Sequence, residues 1–268
     1  MQIASDRTLL RRILDHDAEY WSAIAARAAR PGYSLFHNAD LAPRIDPNHA
    51  GAFRAPEGTG AAIVTEIVAF YRSLGVTPAA FLDACTTPTD LRNHLSAAGF
   101  VEWDGAEGDL MLFVGPDEAP PSDAAVEAVQ NDAQRLEWAA IVEEQAAADV
   151  QAVTLLQRRY LREISDPRVR AYVVRIDGQA VSRCILFSDD GIGRVEAVRT
   201  RAAYRGRGLA SAVIRRAVMD SVECGNLLTY IYAEPGAGPQ RIYHRLGFRT
   251  ICQRATEGYI LPGQSKHG

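Results

Sequence analysis

Two sets of glycine markers recur at one spacing in the two halves of this 268-residue chain. The matching positions lie 148 residues apart and are Gly58 with Gly206, Gly60 with Gly208, and Gly99-Phe100 with Gly247-Phe248. Between the markers, each half shows a helical, a strand-like and a second helical pattern in the same order. A repeat of this length without net insertion predicts that one α/β unit occurs twice. Two unrelated α/β segments are the alternative.

A proline-rich stretch lies between the two halves. Residues 115–123 read GPDEAPPSD and have no apolar periodicity, which predicts an extended linker. We therefore predict one domain over 1–115, a linker over 116–123 and a second domain over 124–268. Each domain would have the usual size of roughly 100–150 residues.

The second half predicts the element order β-α-α-β-β-β-α-β-α-β-β. The expected strands are 124–130, 170–176, 179–187, 193–200, 227–233 and a closing pair near 249–254 and 257–261. The expected helices are about 131–147, 150–163, one that ends near 222 and one near 238–246. In the first half we expect helices at 61–74 and 89–97, a strand at 78–85, and a helix at 7–29 in place of an initial strand.

Composition limits the function classes. Hydrophobic residues make up 47% of the chain, charged residues 23%, and the net charge is −4, so neither nucleic acid nor an anionic membrane is an expected partner. The four cysteines form no CxxC pair and no secretory leader is recognised, which predicts a reduced, cytoplasmic protein. No apolar run approaches the roughly 20 residues of a membrane span. No third ligand stands at metal spacing from His37 and His49, so no metal site is expected.

The segment YRGRGLA, residues 204–210, joins a predicted strand to a predicted helix. Its glycines permit a tight turn and close approach of a ligand, and the free N–H groups and dipole of the helix attract anions there. Four arginines add positive charge: Arg199, Arg201, Arg205 and Arg207. The turn predicts a site for a polyanion such as a pyrophosphate, with a solvated basic turn as the alternative. Neither the GxGxxG spacing nor a Gly-Lys-Ser/Thr ending is present.

Two motifs resemble those of the GNAT superfamily of N-acetyltransferases. Arg205-x-x-Gly208-x-Ala210 is similar to its R/Q-x-x-G-x-G/A signature, and Tyr243-x-x-Leu246-Gly247-Phe248 to its closing Y-x-x-L-G-F segment. The resemblance implies an α/β fold of two GNAT-like mixed-sheet domains, with acetyl-CoA as acyl donor in the second. It implies a strand backbone that pairs with the pantetheine arm and a turn that holds the pyrophosphate. The cofactor-binding residues so predicted are Val198, Arg199, Thr200, Arg205, Gly206, Arg207, Gly208, Leu209 and Ala210.

Acyl transfer from a thioester to an amine needs a neutral amine, a donor for the oxyanion and a proton for the thiolate. Tyr243 resembles the family's tyrosine that protonates the CoA sulfur, and a phenol with a pKa of about 10 keeps its proton at neutral pH. Strand alternation places Glu196 on one face with Val198 and Thr200, so Glu196 is a candidate base. Glu234 or a water chain is the alternative. A backbone N–H near Val198 would donate a hydrogen bond to the oxyanion. The alternatives are that Tyr243 is a core tyrosine and that Glu196 is a structural glutamate.

The first half lacks the corresponding chemistry. Glu57 stands where the second half has Arg205, and Leu95 stands where it has Tyr243. A carboxylate repels a pyrophosphate, and leucine has no proton to give. This half is therefore predicted to keep the scaffold without the site. Its expected role is to brace the second half or to form one side of the acceptor cleft. The family's asparagine before the tyrosine is also missing, since residues 234–239 read EPGAGP.

The sequence thus predicts an acetyl-CoA-dependent N-acetyltransferase that acts on a primary amine by direct attack in a ternary complex. The acceptor is a small-molecule or peptide amine that no motif specifies. One alternative is acetylation of a thiol-cofactor precursor, as in mycothiol synthases, and another is a non-catalytic acyl-CoA sensor. A homodimer is compatible with the sequence, although the duplication could replace one.

Overall fold

The structure, a computed structural model, describes residues 7–115, 124–142, 149–234, 236 and 238–262. The predicted linker at 116–123 lies outside these residues. Packing divides the chain into an N-terminal unit, Met1–Asp109 with Cys252–Gly268, and a C-terminal unit, Leu110–Ile251. No described helix combines the length and apolar character that a membrane crossing requires.

Helices and strands alternate through both units. The helices are α1 Arg7–Ser22, α2 Gly60–Ser73, α3 Leu91–Ala97, α4 Asp132–Ala139, α5 Val150–Glu163, α6 Leu209–Glu223 and α7 Gly238–Arg245. The strands are β1 Ala26–Arg30, β2 Tyr33–His37, β3 Ala50–Gly51, β4 Ala79–Asp83, β5 Val101–Phe113, β6 Val126–Ala128, β7 Val169–Ile176, β8 Gln179–Asp189, β9 Ile192–Thr200, β10 Leu228–Ala233 and β11 Phe248–Ile260. Short 3₁₀ helices occupy Ala39–Leu41 and Ala202–Tyr204.

Each unit contains the same mixed arrangement of strands. In the N-terminal unit, β1, β2 and β3 are antiparallel neighbours and β4 runs parallel to β3. In the C-terminal unit, β7, β8 and β9 are antiparallel neighbours and β10 runs parallel to β9. The predicted α/β class with mixed sheets is therefore confirmed.

The predicted repeat is visible in the backbone as well as in the order of elements. Gly58 and Gly206 adopt φ values of 81° and 77° before α2 and α6, respectively. Gly99 and Gly247 adopt 88° and 89° after α3 and α7. Only glycine takes this left-handed conformation without a steric penalty, which explains why these markers persist in both halves.

Local side chains set the helix starts in the C-terminal unit. The Asn131 side chain accepts a hydrogen bond from the Gln134 amide at 3.0 Å and caps α4. Asp149 caps α5 by accepting from the amides of Gln151 and Ala152. Such caps satisfy amides that have no partner inside the helix. The predicted helix 131–147 is shorter than expected, since α4 ends at Ala139; positions 143–147 lie outside the described residues.

Two predicted element boundaries are wrong. The first helix ends at Ser22 rather than near residue 29, because the alanine- and arginine-rich segment of β1 pairs with β2 instead of continuing the helix. The predicted closing pair of strands is one long strand, β11. Arg254, with φ of 44°, marks an irregularity inside this strand without ending it.

The core of the C-terminal unit lies between α6 and the central strands. Val195 and Ile231 pair on the parallel strands β9 and β10 and are at most 2% exposed. Val213, Ile214 and Ala217 of α6 belong to the same buried cluster. This packing fixes the first turn of α6 relative to the end of β9.

Candidate active site

Strands β9 and β10 pair over only part of their length. Their parallel ladder joins Ile192–Val195 to Leu228–Ile231, and the described strands contain no ladder pair beyond it. Ala197 has φ of 55°, and the register with β8 shifts at this point, so β9 carries a bulge. The end of β9 therefore presents a backbone edge on the side of β10, where an extended ligand could pair.

The turn before α6 leaves the N-terminus of this helix without a side-chain cap from the described residues. Gly206 and Gly208 have φ of 77° and 75°, and Gly208 is the N-cap of α6. No side chain caps this helix in the described part of the chain. A Cβ at Gly206 would meet no atom within 4 Å, so this glycine is required by its conformation rather than by crowding. The amides of the first turn are thus left for a ligand.

A cavity of about 710 Å³ opens between this turn, the end of β9 and α7. A volume of roughly 300–1,000 Å³ is usual for small-molecule sites. Its lining residues include no aspartate or glutamate; they are Val198, Arg199, Thr200, Tyr204, Arg205, Gly206, Gly208, Leu209, Ala210, Ser211, Gly238, Pro239, Arg241, Ile242, Tyr243 and Arg245. The site combines a helix N-terminus with four guanidinium groups and suits an anionic ligand.

Most of the predicted cofactor-binding residues meet in this cavity. Arg207 does not line it: its guanidinium lies over the Tyr204 ring at 5.2 Å and donates to the Ala203 carbonyl at 3.5 Å. Arg205 does line it and donates from Nε to the Thr200 carbonyl at 3.3 Å. The two arginines of the turn thus lie in different surroundings.

Tyr243 lies on α7 and lines the cavity with 7% of its surface exposed. Its ring packs against Phe248 at a centroid distance of 6.3 Å. Burial raises the pKa of the Tyr243 phenol well above its ordinary value; the charge of Glu196 and the nearby Cys184 add to the shift, and Arg199 opposes it. The phenol therefore stays protonated at neutral pH and can only donate its proton there.

The charge of Glu196 acts on the Tyr243 phenol, but Glu196 does not line the cavity. Its Oε2 accepts hydrogen bonds from Nε and Nη2 of Arg194 at 3.1 and 2.6 Å, and its Oε1 accepts from the Ala197 amide at 3.0 Å. Burial would raise the pKa of Glu196, but Arg194 and the Ala197 amide outweigh burial and lower it. The carboxylate is therefore ionised at neutral pH. Glu234, the alternative base, is exposed and also absent from the lining.

Sequence reasoning missed two charged lining residues. Arg241 and Arg245 stand four positions apart on α7 and both line the cavity. Their i, i+4 spacing places them on one helix face, and Tyr243 was already assigned to that helix. Tyr243 lies two positions from each arginine and therefore on a different face of the helix, so the spacing alone does not place these arginines at the cavity.

In the equivalent region of the N-terminal unit, side chains lie against the start of the helix. A Cβ at Gly60, the first residue of α2, would lie 2.4 Å from Cδ2 of His94, so the imidazole covers the helix start. The Glu57 carboxylate accepts hydrogen bonds from the Thr89 amide at 3.1 Å and from its hydroxyl at 3.2 Å. Leu95, which stands in place of the tyrosine, is fully buried.

Comparison with known proteins identifies the domain type of the second half. Residues 131–248 match the acetyltransferase (GNAT) family. No curated protein matches the chain in sequence.

Solved structures match nearly the whole chain. A GCN5-related N-acetyltransferase from Kribbella flavida has a TM-score of 0.69 and 18% identity, covering 96% of this chain and 97% of that one. One from Sphaerobacter thermophilus has a TM-score of 0.58 and 17% identity, with coverages of 87% and 78%. A tandem GNAT protein from the clavulanic acid biosynthesis pathway has a TM-score of 0.54 and 14% identity and covers 98% of each chain. At these identities the likeness shows the fold, which is that of a tandem GNAT protein.

Proposed function

Because residues 131–248 form a domain of the GNAT acetyltransferase family, we propose that the C-terminal unit binds acetyl-CoA and transfers its acetyl group to a primary amine. The observation that carries the proposal is that one cavity is lined both by the uncapped start of α6 and by the buried Tyr243. One feature suits the pyrophosphate of the donor, and the other suits its departing sulfur.

Backbone groups would make the main contacts with acetyl-CoA, and side chains would add to them. The edge of β9 from Val198 to Thr200 would pair with the amides of the pantetheine arm, because β10 does not occupy that edge. The first-turn amides of α6, from Gly208 to Ala210, would hold the pyrophosphate, supported by the helix dipole. Arg205 and Arg199 would add charge from the cavity wall. Arg207, over the Tyr204 ring, would act only through its longer-range field.

The proposed chemistry is a direct transfer. The amine nitrogen attacks the thioester carbonyl carbon, and a backbone N–H near Val198 stabilises the oxyanion that forms. When the carbon–sulfur bond breaks, Tyr243 donates its proton to the thiolate, and the amide product loses the extra proton of its nitrogen. The raised pKa of Tyr243 keeps this proton in place until the sulfur departs.

Glu196 is the proposed acceptor of the amine proton. Its carboxylate is ionised and lies on the strand that forms the cavity wall, but it is absent from the lining and bound to Arg194. The proton would therefore travel through water rather than by direct contact. Glu234 remains the alternative acceptor, at the exposed end of β10.

The N-terminal unit would not bind acetyl-CoA. His94 covers the start of α2, and Glu57 would repel a pyrophosphate at the position of Arg205. One acetyl-CoA per chain is the expected stoichiometry.

Calorimetry with acetyl-CoA and a thiol-release assay over a panel of primary amines test the proposal. We expect one binding site per chain and release of free CoA with at least one amine. The panel includes amino-sugar precursors of thiol cofactors, whose exclusive use would support the mycothiol-synthase-like alternative. Tight binding without thiol release across the panel would favour a sensor, and no binding of acetyl-CoA would overturn the proposed function.

A further inference from the structure

The cavity contains more positive charge than a pyrophosphate needs. Arg199 and Arg205 lie on β9 and the turn beside the start of α6, where the first-turn amides already favour an anion. Arg241 and Arg245 approach the same cavity from α7. The chain as a whole has a net charge of −4, so this concentration of guanidinium groups is local.

Some arginines of the C-terminal unit are paired with acidic side chains, and the two of α7 are paired with none of the described ones. Arg175, Arg194 and Arg216 each form an ion pair with a carboxylate. Neither Arg241 nor Arg245 forms an ion pair with any described residue, and both are exposed. Both residues line the cavity, and its lining contains no acidic side chain.

The position of Arg241 points to a ligand rather than to helix stability. Arg245 is in the last turn of α7, where a cation interacts favourably with the helix dipole. Arg241 lies in the first half of this eight-residue helix, where the dipole gives a cation no such benefit. The i, i+4 spacing brings both side chains to one face, so they can bind one group together.

We propose that Arg241 and Arg245 bind the phosphate monoester on the ribose 3′-oxygen of CoA and make the C-terminal unit selective for CoA over dephospho-CoA. This inference rests on the proposed function. A phosphate monoester carries a charge of about −1.5 to −2 at neutral pH, which two guanidinium groups match. The pyrophosphate is left to the amides of α6 and to Arg205.

Calorimetric binding of CoA and dephospho-CoA to the full chain tests the proposal without any turnover. We expect the wild-type protein to bind CoA on the order of tenfold more tightly than dephospho-CoA, as two exposed charge contacts allow. The double variant Arg241→Gln/Arg245→Gln should bind the two ligands within about twofold of each other. Raising the salt concentration should reduce the wild-type preference, since exposed charge contacts are screened.

Arg249→Gln is the matched control. Arg249 is an exposed arginine just beyond α7 that donates to the carbonyls of His244 and Phe248 and does not line the cavity. This variant should keep the wild-type preference for CoA. If thermal unfolding shows that the double variant does not fold, the single variants replace it, and each should lose part of the preference.

The outcomes separate this inference from the proposed function. Equal binding of both ligands by the wild-type protein, or an unchanged preference in folded variants, would overturn the role of Arg241 and Arg245 and leave the acetyl-CoA site intact. Failure of the wild-type protein to bind either ligand would overturn the proposed function itself. Loss of the preference in Arg249→Gln as well would show that general charge, not these two side chains, produces it.

Discussion

Replacing Tyr243 by phenylalanine removes the proposed acid and little else. The ring contact with Phe248 is apolar and survives the change. No described residue forms a hydrogen bond with the phenol, so its loss leaves no described partner unsatisfied. We therefore expect the free energy of unfolding to change by less than about 1 kcal/mol.

The rate should respond far more strongly than stability. Because burial and Glu196 raise the pKa of the Tyr243 phenol, the wild-type protein keeps this acid protonated throughout the neutral range. General acid catalysis contributes typically about 10²–10⁴-fold. The variant should lose turnover by this factor, or about 3–5 kcal/mol of activation free energy. The wild-type rate should show no alkaline decline from this phenol below about pH 10, its ordinary pKa.

Thiol release under saturating acetyl-CoA measures turnover, and calorimetry measures the affinity for acetyl-CoA. We expect Tyr243→Phe to lower kcat while changing the dissociation constant by less than about threefold, since the phenol acts only as the bond breaks. Tyr204→Phe is the control, because Tyr204 also lines the cavity but donates its hydroxyl to Gln179 at 3.1 Å. A folded Tyr243→Phe protein with wild-type kcat would refute the assignment, and an equal loss in both variants would attribute the effect to the cavity in general.

Three further outcomes are expected. Arg205→Glu should weaken acetyl-CoA binding at least tenfold in calorimetry, since it places a carboxylate beside the pyrophosphate, and unaltered affinity would contradict the proposed pyrophosphate site. Gly193→Ala should lower the free energy of unfolding by about 3 kcal/mol in urea denaturation, because its Cβ would lie 2.2 Å from Oγ of buried Ser221. Gly178→Ala is the control: its Cβ would meet nothing within 4 Å, so the change should cost only about 1–2 kcal/mol of backbone strain. Burial lowers the pKa of His49 to about 4, whereas in the unfolded chain it is about 6.5. As the pH falls below about 6.5, the unfolded chain therefore binds a proton at His49 before the folded protein does, and the free energy of unfolding should drop by up to about 3 kcal/mol by pH 4. His49→Leu should remove this dependence.

The sequence predicts the fold well where local patterns and the repeat agree. The glycine markers locate the starts of α2 and α6 and the ends of α3 and α7. The left-handed conformation explains Gly58, Gly206, Gly99 and Gly247, whereas Gly60 is the first residue of α2 and does not adopt it. The extent of β11 could not be predicted, because Gln253 and Arg254 interrupt its apolar pattern and only pairing with neighbouring strands shows that the strand continues. The end of α1 was missed for a related reason, since pairing of β1 with β2 overrides helix propensity.

The site is predictable to the extent that motifs determine it. Alternation along β9 predicts that Glu196 shares a face with Val198 and Thr200. The bulge at Ala197 breaks this alternation: Val198, Arg199 and Thr200 line the cavity consecutively, and Glu196 does not. A single positive φ at a non-glycine residue leaves no recognisable mark in the sequence, so this change of face required the structure.

The two units together separate residues that maintain the scaffold from residues that could perform chemistry. Gly58 has the same left-handed conformation as Gly206, although its unit has Glu57 in place of Arg205 and His94 against the start of its helix. The glycine is therefore explained by the turn alone and does not indicate a ligand. What differs between the units is the sign of the charge before the turn, the access to the first helical amides and the residue equivalent to Tyr243. The charge before the turn and the access to the helical amides lie outside the buried core, and Leu95 fills its core position as Tyr243 fills the equivalent one. One unit can therefore lack these features without losing its fold, and the glycine signature by itself identifies the scaffold rather than the activity.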